Sequence, residues 1–311
     1  MNDGWRHEPP GSSEGEYRSP KGEGCPMSAP PVLTRLPRSY LFVPGDRPER
    51  FAKARVAGAD MVIVDLEDAV APESKPRARA ALAAALDEAV PLIVRVNAAG
   101  TPWFDEDIEL CRHPGVAAVM LPKAEGIEAI CAVVETTYKD VLPIIESARG
   151  VEAVRAIARV PGVVRLAFGS VDLALDLGID CAPDGGEIEL QWFRSQLVLA
   201  SRLAGLDAPI DGVSLVIDDF DRLHADAQRA RRQGFGAKLC IHPKQIAAVQ
   251  AVFTPNAEQL DWARGVRDVF VAAGGAAVVM DGRMVDSPIY QRALAVLRSA
   301  GLEACRDEVA P

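Results

Sequence analysis

The sequence predicts an α/β fold, a (β/α)₈ or TIM barrel followed by a C-terminal helical arm. Short, almost continuously apolar runs recur along the chain, as expected of parallel strands that are covered on both faces. Eight such runs, separated by helical stretches, fill about 220 residues, which matches a barrel in number and size. The runs are RSYLFVPG (38–45), DMVIVDLED (60–68), LIVRVN (92–97), AAVMLPKA (117–124), VLPIIES (141–147), VVRLAFGS (163–170), PIDGVSL (209–215) and AKLCIHP (237–243).

The stretches between the runs favour a barrel over a doubly wound open sheet. An open sheet usually has fewer strands, and no GxGxxG motif follows the first run. The clearest helical stretches are Lys75–Glu88, Ile127–Thr136, Val151–Val160, Gln191–Ala204, Phe220–Gln233 and Lys244–Val252.

Composition divides the chain into three segments. Residues 1–34 are rich in Gly, Pro, Ser and charge and lack the apolar stretch of a signal peptide, which predicts a disordered tail. Residues 35–256 hold the barrel. Residues 257–311 form an extension that carries the motif GRMVDSP, with helices predicted over Glu258–Phe270 and from Ile289 to about residue 304. This extension could lie over its own barrel or reach a neighbouring subunit.

Charge and cysteine content exclude several classes of protein. The 34 basic and 44 acidic residues give a net charge of −10, whereas nucleic-acid binders usually carry a basic excess. No apolar run approaches the ~20 residues that cross a bilayer. The six cysteines form no CxxC pair, which argues against a zinc knuckle, and their scatter is typical of a cytoplasmic protein. The native chain could start at Met1 or at Met27, just before the ordered region.

Polar side chains cluster where the predicted strands end. The C-terminal ends of barrel strands meet at one mouth, where the chemistry of such barrels is found. Carboxylates that project into one mouth repel each other without a cation, and Mg²⁺ prefers one or two carboxylates with water and substrate oxygens. A single Asp at a strand end is more often a helix cap than a ligand, but Glu146 and Asp172 follow adjacent strands. The strand-end residues are Asp65, Glu67, Asp68, Arg95, Asn97, Pro122, Lys123, Glu146, Ser147, Gly169, Ser170, Asp172, His242 and Pro243.

Eight motifs occur in order at barrel-like spacing. They are RSYLFVPGDRPERFAKA (38–54), DLEDAVAPESKPRAR (65–79), VRVN (94–97), LPKAEG (121–126), PIIESARG (143–150), AFGSVDLALDLG (167–178), GAKLCIHPKQI (236–246) and DGRMVDSP (281–288). Together they resemble the citrate lyase β-subunit-like branch of the HpcH/HpaI aldolase family, over nearly all of the chain after residue 35. Two departures are Ser147, where many relatives have Thr, and GSVDLA (169–174), where many have GTxDLA.

The resemblance implies a magnesium enzyme and assigns roles to particular residues. Glu146 and Asp172 would hold Mg²⁺, which Mn²⁺ could replace. The acidic pair Glu67 and Asp68 would hold metal-bound waters, and Arg95 would contact the reacting carbonyl.

The resemblance also implies an acyl-CoA site formed by basic residues near the first strand and the helix after it. The candidates are Arg38, Arg50 and Lys53, with Lys75 and Arg77 in addition. Each of the five could instead be a solvated surface charge.

In relatives, the Asp of a GxMID motif comes from a neighbouring subunit and closes the active site. Asp286 of GRMVDSP matches that position. The resemblance therefore implies that the arm packs on a neighbouring subunit of a homotrimer or hexamer, and that Asp286 acts as a catalytic acid or base.

The implied activity is that of a Mg²⁺-dependent carbon–carbon lyase. It would reversibly cleave a 3-hydroxyacyl-CoA, such as malyl-, citramalyl- or citryl-CoA, into acetyl-CoA or a homologue and a 2-keto acid. One alternative is a citrate lyase β subunit that works with partner subunits on a thioester carried by a protein. Others are a pyruvate-type class II aldolase and a related acyl-CoA thioesterase or malate synthase-like activity. A non-catalytic barrel is disfavoured, because every predicted catalytic position holds a competent residue.

Overall fold

The computed structural model describes residues 36–181 and 187–302, and in these ranges the eight predicted strands close into one parallel barrel. Each strand pairs with the next along the chain, and the last pairs with the first. The predicted (β/α)₈ barrel is therefore confirmed, whereas the tail predicted at residues 1–34 and the start at Met27 lie outside the described ranges. The strands are β1 (Ser39–Pro44), β2 (Met61–Asp65), β3 (Leu92–Arg95), β4 (Val116–Leu121), β5 (Asp140–Ile145), β6 (Ala167–Phe168), β7 (Ile210–Asp211) and β8 (Ala237–Cys240).

Helices follow the strands around the outside of the barrel. The six predicted helical stretches are confirmed, with boundaries that differ by at most three residues. The other three barrel helices in the described ranges, the first, third and sixth along the chain, are only five to eight residues long, too short for a helical period to be visible in the sequence. None of the described helices is long and apolar enough to cross a bilayer. The helices are α1 (Phe51–Arg55), α2 (Lys75–Ala85), α3 (Phe104–Leu110), α4 (Glu128–Thr137), α5 (Ala148–Ile157), α6 (Ser170–Leu177), α7 (Gln191–Leu203), α8 (Phe220–Gln233) and α9 (Ile246–Phe253).

The strands are buried on both faces, which explains their continuous apolar runs. Alternate residues fill the barrel interior, among them Tyr40, Ile63 and Met120. The residues between them, such as Val64 and Val94, face the helices.

The same alternation turns charged side chains into the mouth of the barrel. Because side chains on a strand repeat every two residues, the residue two positions after an inward-facing Ile also points inward. At the end of β2 and β3, and one residue past the end of β5, this second residue is charged and lines the mouth. The pairs are Ile63 and Asp65, Ile93 and Arg95, and Ile144 and Glu146.

Strands β6 and β7 are each two residues long, and each is followed by a glycine in tight surroundings, Gly169 and Gly212. A Cβ on Gly212 would lie 2.8 Å from Oγ of Ser170 and 2.9 Å from the carbonyl oxygen of Phe168. The backbone after β7 therefore approaches β6 closely only because this residue lacks a side chain.

The C-terminal extension has a small core of its own. It comprises α10 (Ala257–Ala272), a hairpin of β9 (Val278–Met280) and β10 (Arg283–Val285), and α11 (Ser287–Ser299). The rings of Phe270 and Tyr290 stack with centroids 4.5 Å apart in this core. The hairpin was not predicted, although Asp281–Gly282, both with positive φ, is a strong signal for a two-residue turn.

Candidate active site

A cavity of about 330 Å³ lies at the C-terminal mouth of the barrel. Its wall combines apolar side chains, such as Phe42 and Leu215, with charged groups from several strands. The polar residues that line it are Asp65, Asp68, Arg95, Glu146, Ser170 and Asp172.

The guanidinium of Arg95 is held in a fixed orientation. Its Nε and Nη2 donate to the two carboxylate oxygens of Asp65 at 2.8 and 2.6 Å, and its Cζ lies 4.8 Å from the ring centroid of Phe42. Its Nη1 lies 3.1 Å from Oε2 of Glu67. Burial lowers the pKa of Arg95, but the attraction of Asp65, Glu67 and Glu146 outweighs it and raises that pKa. Arg95 is thus a permanent, oriented positive charge in the mouth.

Glu146 is a buried carboxylate that forms no ion pair with any cationic side chain in the described part of the chain. Its Oε1 accepts from the backbone N–H of Lys123 at 2.7 Å, and a Cβ on Gly169 would lie 2.4 Å from Oε2. Burial, with the charges of Glu67 and Asp172, raises the pKa of Glu146 to about 8 against the opposing effects of the Lys123 amide and Arg95. This repulsion is what a bound cation would relieve.

Asp172 lines the same cavity from the first turn of α6. Within the described ranges neither Glu146 nor Asp172 forms an ion pair, and no group of three or more His, Cys, Asp and Glu side chains could hold a metal. Two carboxylates fit Mg²⁺, which takes its other ligands from water and substrate, and do not fit a zinc site.

The acidic pair after β2 differs in exposure. Glu67 is buried, with Oε1 accepting from Nζ of Lys123 at 2.9 Å, whereas the side chain of Asp68 is 57% exposed. Oε2 of Glu67 is buried without a hydrogen bond despite its approach to Arg95. Burial and Asp68 raise the pKa of Glu67 against Arg95 and Lys123.

The five candidate CoA-binding residues fall into two groups. Arg38 is buried, with its guanidinium donating to Oγ1 of Thr254 at 2.7 Å and to the carbonyl oxygen of Ser299. Because it precedes β1, it lies at the end of the barrel opposite the carboxylates. Arg38 therefore has internal partners in this structure, and its role in CoA binding stays a prediction.

Lys75 also has internal partners. Its Nζ donates to the carbonyl oxygens of Leu66 and Glu67 at 2.9 and 3.0 Å and to Oδ1 of Asn97 at 2.5 Å. These bonds anchor the loop after β2 that carries Glu67 and Asp68.

The remaining three basic candidates, Arg50, Lys53 and Arg77, are exposed. Arg50 ends a 3₁₀ turn that contacts α2, the helix that carries Arg77 in its first turn.

Asp286 is not among the residues that line the mouth cavity of its own chain. It precedes α11, and its Oδ1 accepts from the backbone N–H of Ile289 at 3.3 Å.

Sequence reasoning assigned no role to two residues that the structure places in the site. Asp65 orients Arg95, and Lys123 contacts both Glu67 and Glu146. The alternation after Ile63 is the signal that could have identified Asp65. The position of Lys123 at the end of the fourth predicted strand placed it near the mouth, but no pattern in the sequence indicated its partners Glu67 and Glu146.

Known proteins resemble this chain over most of its length. A model of the HpcH/HpaI aldolase/citrate lyase family matches residues 38–243. A citrate lyase subunit beta-like protein of Mycobacterium tuberculosis is 40% identical over 265 residues, covering 84% of this chain and 95% of that protein. An L-malyl-CoA/beta-methylmalyl-CoA lyase of Cereibacter sphaeroides is 31% identical over 308 residues, covering 87% and 96%.

A solved structure shows the same likeness. The crystal structure of CitE from M. tuberculosis in complex with magnesium, acetoacetate and coenzyme A has a TM-score of 0.77 at 39% identity, over 86% of this chain and 100% of that chain. The chain belongs to the HpcH/HpaI aldolase/citrate lyase family, in its citrate lyase β-like branch.

Proposed function

We propose that the protein is a Mg²⁺-dependent carbon–carbon lyase that reversibly cleaves a 3-hydroxyacyl-CoA into acetyl-CoA, or a homologue, and a 2-keto acid. The observation that carries the proposal is one cavity that holds the uncompensated carboxylates Glu146 and Asp172 beside the fixed guanidinium of Arg95. The relatives support the substrate class, since one is a malyl-CoA lyase and the CitE structure holds magnesium and coenzyme A.

Glu146 and Asp172 would hold the metal, and Glu67 and Asp68 would orient water bound to it. When bound, Mg²⁺ supplies Lewis-acid stabilisation for substrate oxygens that become negatively charged.

Arg95 is suited to the oxygen at which charge develops during cleavage. When the bond between the hydroxyl-bearing carbon and the α-carbon of the thioester breaks, its electrons pass into a thioester enolate. Asp65 accepts one N–H of Nε and one of Nη2, so the second N–H of Nη2 and the N–H of Nη1 that does not face Glu67 are left as donors for the substrate. A donor that is already oriented stabilises the enolate without reorganisation.

The reaction needs one proton removed and one proton added. The hydroxyl loses its proton as the keto acid forms, and the enolate carbon gains one as acetyl-CoA forms, so the net reaction consumes neither water nor protons. Asp286 is the proposed acid for the enolate carbon and the base in the condensing direction.

Asp286 would reach the site from a second copy of the chain, in a homotrimer or hexamer. The hairpin next to Asp286 exposes two apolar side chains, with Val279 70% and Met284 65% exposed. The mouth also exposes apolar side chains that could pack against the hairpin of a second copy. Leu215 is 67% exposed, and Phe220, at the start of α8, is 51% exposed. Burying these two surfaces against each other would stabilise the assembly.

The CoA phosphates would contact the exposed basic residues Arg50, Lys53 and Arg77. We propose a cytoplasmic location, because the six cysteines are scattered along the sequence and form no CxxC pair, which is typical of a reducing compartment.

A substrate panel tests the proposed function. The purified protein is incubated with Mg²⁺ and malyl-, citramalyl-, methylmalyl- or citryl-CoA, with EDTA as the control, and acyl-CoA and keto-acid products are followed by mass spectrometry. We expect metal-dependent cleavage of at least one thioester. Cleavage of none would shift the assignment to a thioester carried by a protein or to free pyruvate.

A further inference from the structure

Lys123 contacts both acidic parts of the mouth. It lies two residues beyond the end of β4, on the rim of the barrel. Its backbone N–H donates to Oε1 of Glu146 at 2.7 Å, and its Nζ donates to Oε1 of Glu67 at 2.9 Å and lies 3.9 Å from Asp68. Lys123 thus links Glu146, the proposed metal ligand, to Glu67 and Asp68, the pair proposed to orient metal-bound water.

The backbone of Lys123 adopts a conformation that side chains disfavour. Its φ is +48°, in the left-handed region that glycine occupies without steric cost. The ladder to β5 resumes one residue later, where the N–H of Ala124 donates to the carbonyl oxygen of Ile144 at 3.3 Å. The turn therefore frees the Lys123 amide for Glu146. A strained residue with a side chain, where glycine would fit, indicates that the side chain has its own function.

Within the described ranges, the ammonium of Lys123 forms ion pairs with Glu67 and Asp68 and not with either proposed metal ligand. It pairs with Glu67, whose other oxygen lies 3.1 Å from Nη1 of Arg95. Glu67 is thus held between two cations, whereas within the described ranges Glu146 forms no ion pair with a cationic side chain. The amide of Lys123 orients Glu146 without neutralising it.

We propose that Lys123 is a positioning residue with two separable functions. Its backbone amide fixes the carboxylate of Glu146 for metal binding, and its ammonium holds Glu67 beside Arg95 where the substrate reacts. The inference rests on the proposed function and deepens it. It implies that metal affinity depends on the amide alone, whereas substrate binding and turnover depend on the ammonium.

Three substitutions separate the two functions. Lys123→Gly keeps the amide and suits the positive φ but removes the ammonium. Lys123→Met also removes the ammonium and keeps most of the bulk, and Lys123→Arg keeps the charge. Lys139→Met is the matched control, because Lys139 immediately precedes β5 and lies at the opposite end of the barrel.

Two measurements test the inference on the full-length protein. The first is the Kd of the apo protein for Mg²⁺ by calorimetry, which we expect to stay within twofold of wild type in all variants. The second is kcat/KM for the cleaved thioester, which we expect to fall at least tenfold in Lys123→Gly and Lys123→Met and to recover partly in Lys123→Arg. A purely structural role would move thermal stability in all three variants and would not produce rescue by charge.

The outcomes distinguish this inference from the proposed function. Wild-type kcat/KM in Lys123→Met, or a Mg²⁺ Kd at least tenfold weaker in Lys123→Gly, would overturn the inference while the lyase assignment stands. If the wild type binds Mg²⁺ but cleaves no thioester, calorimetry with pyruvate on the Mg²⁺-loaded protein replaces kcat/KM. Tenfold weaker pyruvate binding in Lys123→Met, with recovery in Lys123→Arg, would support the inference, and unchanged binding would overturn it.

Discussion

At the residue scale, Asp172 is where the proposed metal site is tested most directly. The substitution Asp172→Asn replaces one of the two candidate carboxylate ligands with a neutral, weaker amide ligand and removes one of the charges that oppose ionisation of Glu146. We expect Mg²⁺ affinity to fall by more than about 100-fold, since losing residues that merely support ligands already costs 10–100-fold. Calorimetry with Mg²⁺ measures this effect.

The fold should survive the loss of Asp172. Because a like charge is removed, the thermal midpoint of the apo protein should not fall. Asp176→Asn is the control, since this exposed carboxylate on the same helix accepts from the backbone N–H of Ala148, at the start of α5. Metal-dependent turnover at the wild-type rate in Asp172→Asn would remove Asp172 from the metal site.

Asp65 acts on the site through Arg95, because it orients the guanidinium. Asp65→Asn should lower the free energy of unfolding by about 3–5 kcal/mol, because it breaks a buried pair and leaves Arg95 without its bidentate partner. Chemical denaturation measures the change. Glu106→Gln is the control, because Glu106 is 70% exposed in its pair with Arg79 and should change stability by no more than about 1 kcal/mol. Equal losses in the two variants would contradict a special role for Asp65.

At the element scale, the junction between β6 and α6 depends on a missing side chain. Gly169→Ala would place a Cβ 2.4 Å from both Cβ and Oε2 of Glu146, so that this carboxylate must move. We expect weaker Mg²⁺ binding and a lower thermal midpoint. Gly265→Ala is the matched control. Gly265 lies within α10, and a Cβ on it would contact only Sδ of Met280, at 3.5 Å.

We also predict the effect of the control substitution Gly265→Ala on stability. Alanine in a helix interior is favoured over glycine by about 0.5–1 kcal/mol, so Gly265→Ala should be neutral or stabilising. Unchanged Mg²⁺ affinity in Gly169→Ala, measured by calorimetry, would show that Glu146 adjusts freely and that the close packing is unimportant.

The extension is tied to the base of the barrel by Arg38. Arg38→Met removes the bonds to Thr254 and to the end of α11, and hydrogen bonds to charged groups contribute about 1.5–3 kcal/mol each. We expect faster hydrogen exchange in α11 with little change in the barrel strands. Lys53→Met, a surface change, should leave exchange in α11 as it is in the wild type. Wild-type protection of α11 in Arg38→Met would mean that its own small core holds the extension.

At the scale of the whole molecule, the prediction concerns the assembly. If Asp286 acts in the site of a neighbouring subunit, neither Asp172→Ala nor Asp286→Ala is active alone, but co-expression of the two restores activity. In a ring assembled at random from equal amounts, about a quarter of the sites combine an intact barrel with an intact arm. Activity measurements and light scattering on the mixed assembly test this. Restored activity in a monomer, or no activity in a mixed trimer, would contradict the proposal that Asp286 acts in the active site of a neighbouring subunit.

The sequence alone determined the barrel, because parallel strands buried on both faces leave continuous apolar runs at regular spacing. It also indicated most of the acidic site, since the C-terminal ends of parallel strands must meet at one mouth. Glu146, Asp172 and Arg95 were therefore predictable as neighbours, and all three line one cavity. The resemblance to a family assigned them roles, which remain proposals.

Only the tertiary structure decided which charged residues are internal and which partners they have. Arg38 and Ser299 are 261 positions apart, and Lys123 and Glu67 are 56 apart. A sequence pattern reports the environment of a residue through its near neighbours, whereas a buried charge is stabilised by whichever distant group the fold brings to it. For that reason Arg38 looked like a surface cation, and the strained turn that joins Lys123 to both halves of the site was visible only once the barrel had closed.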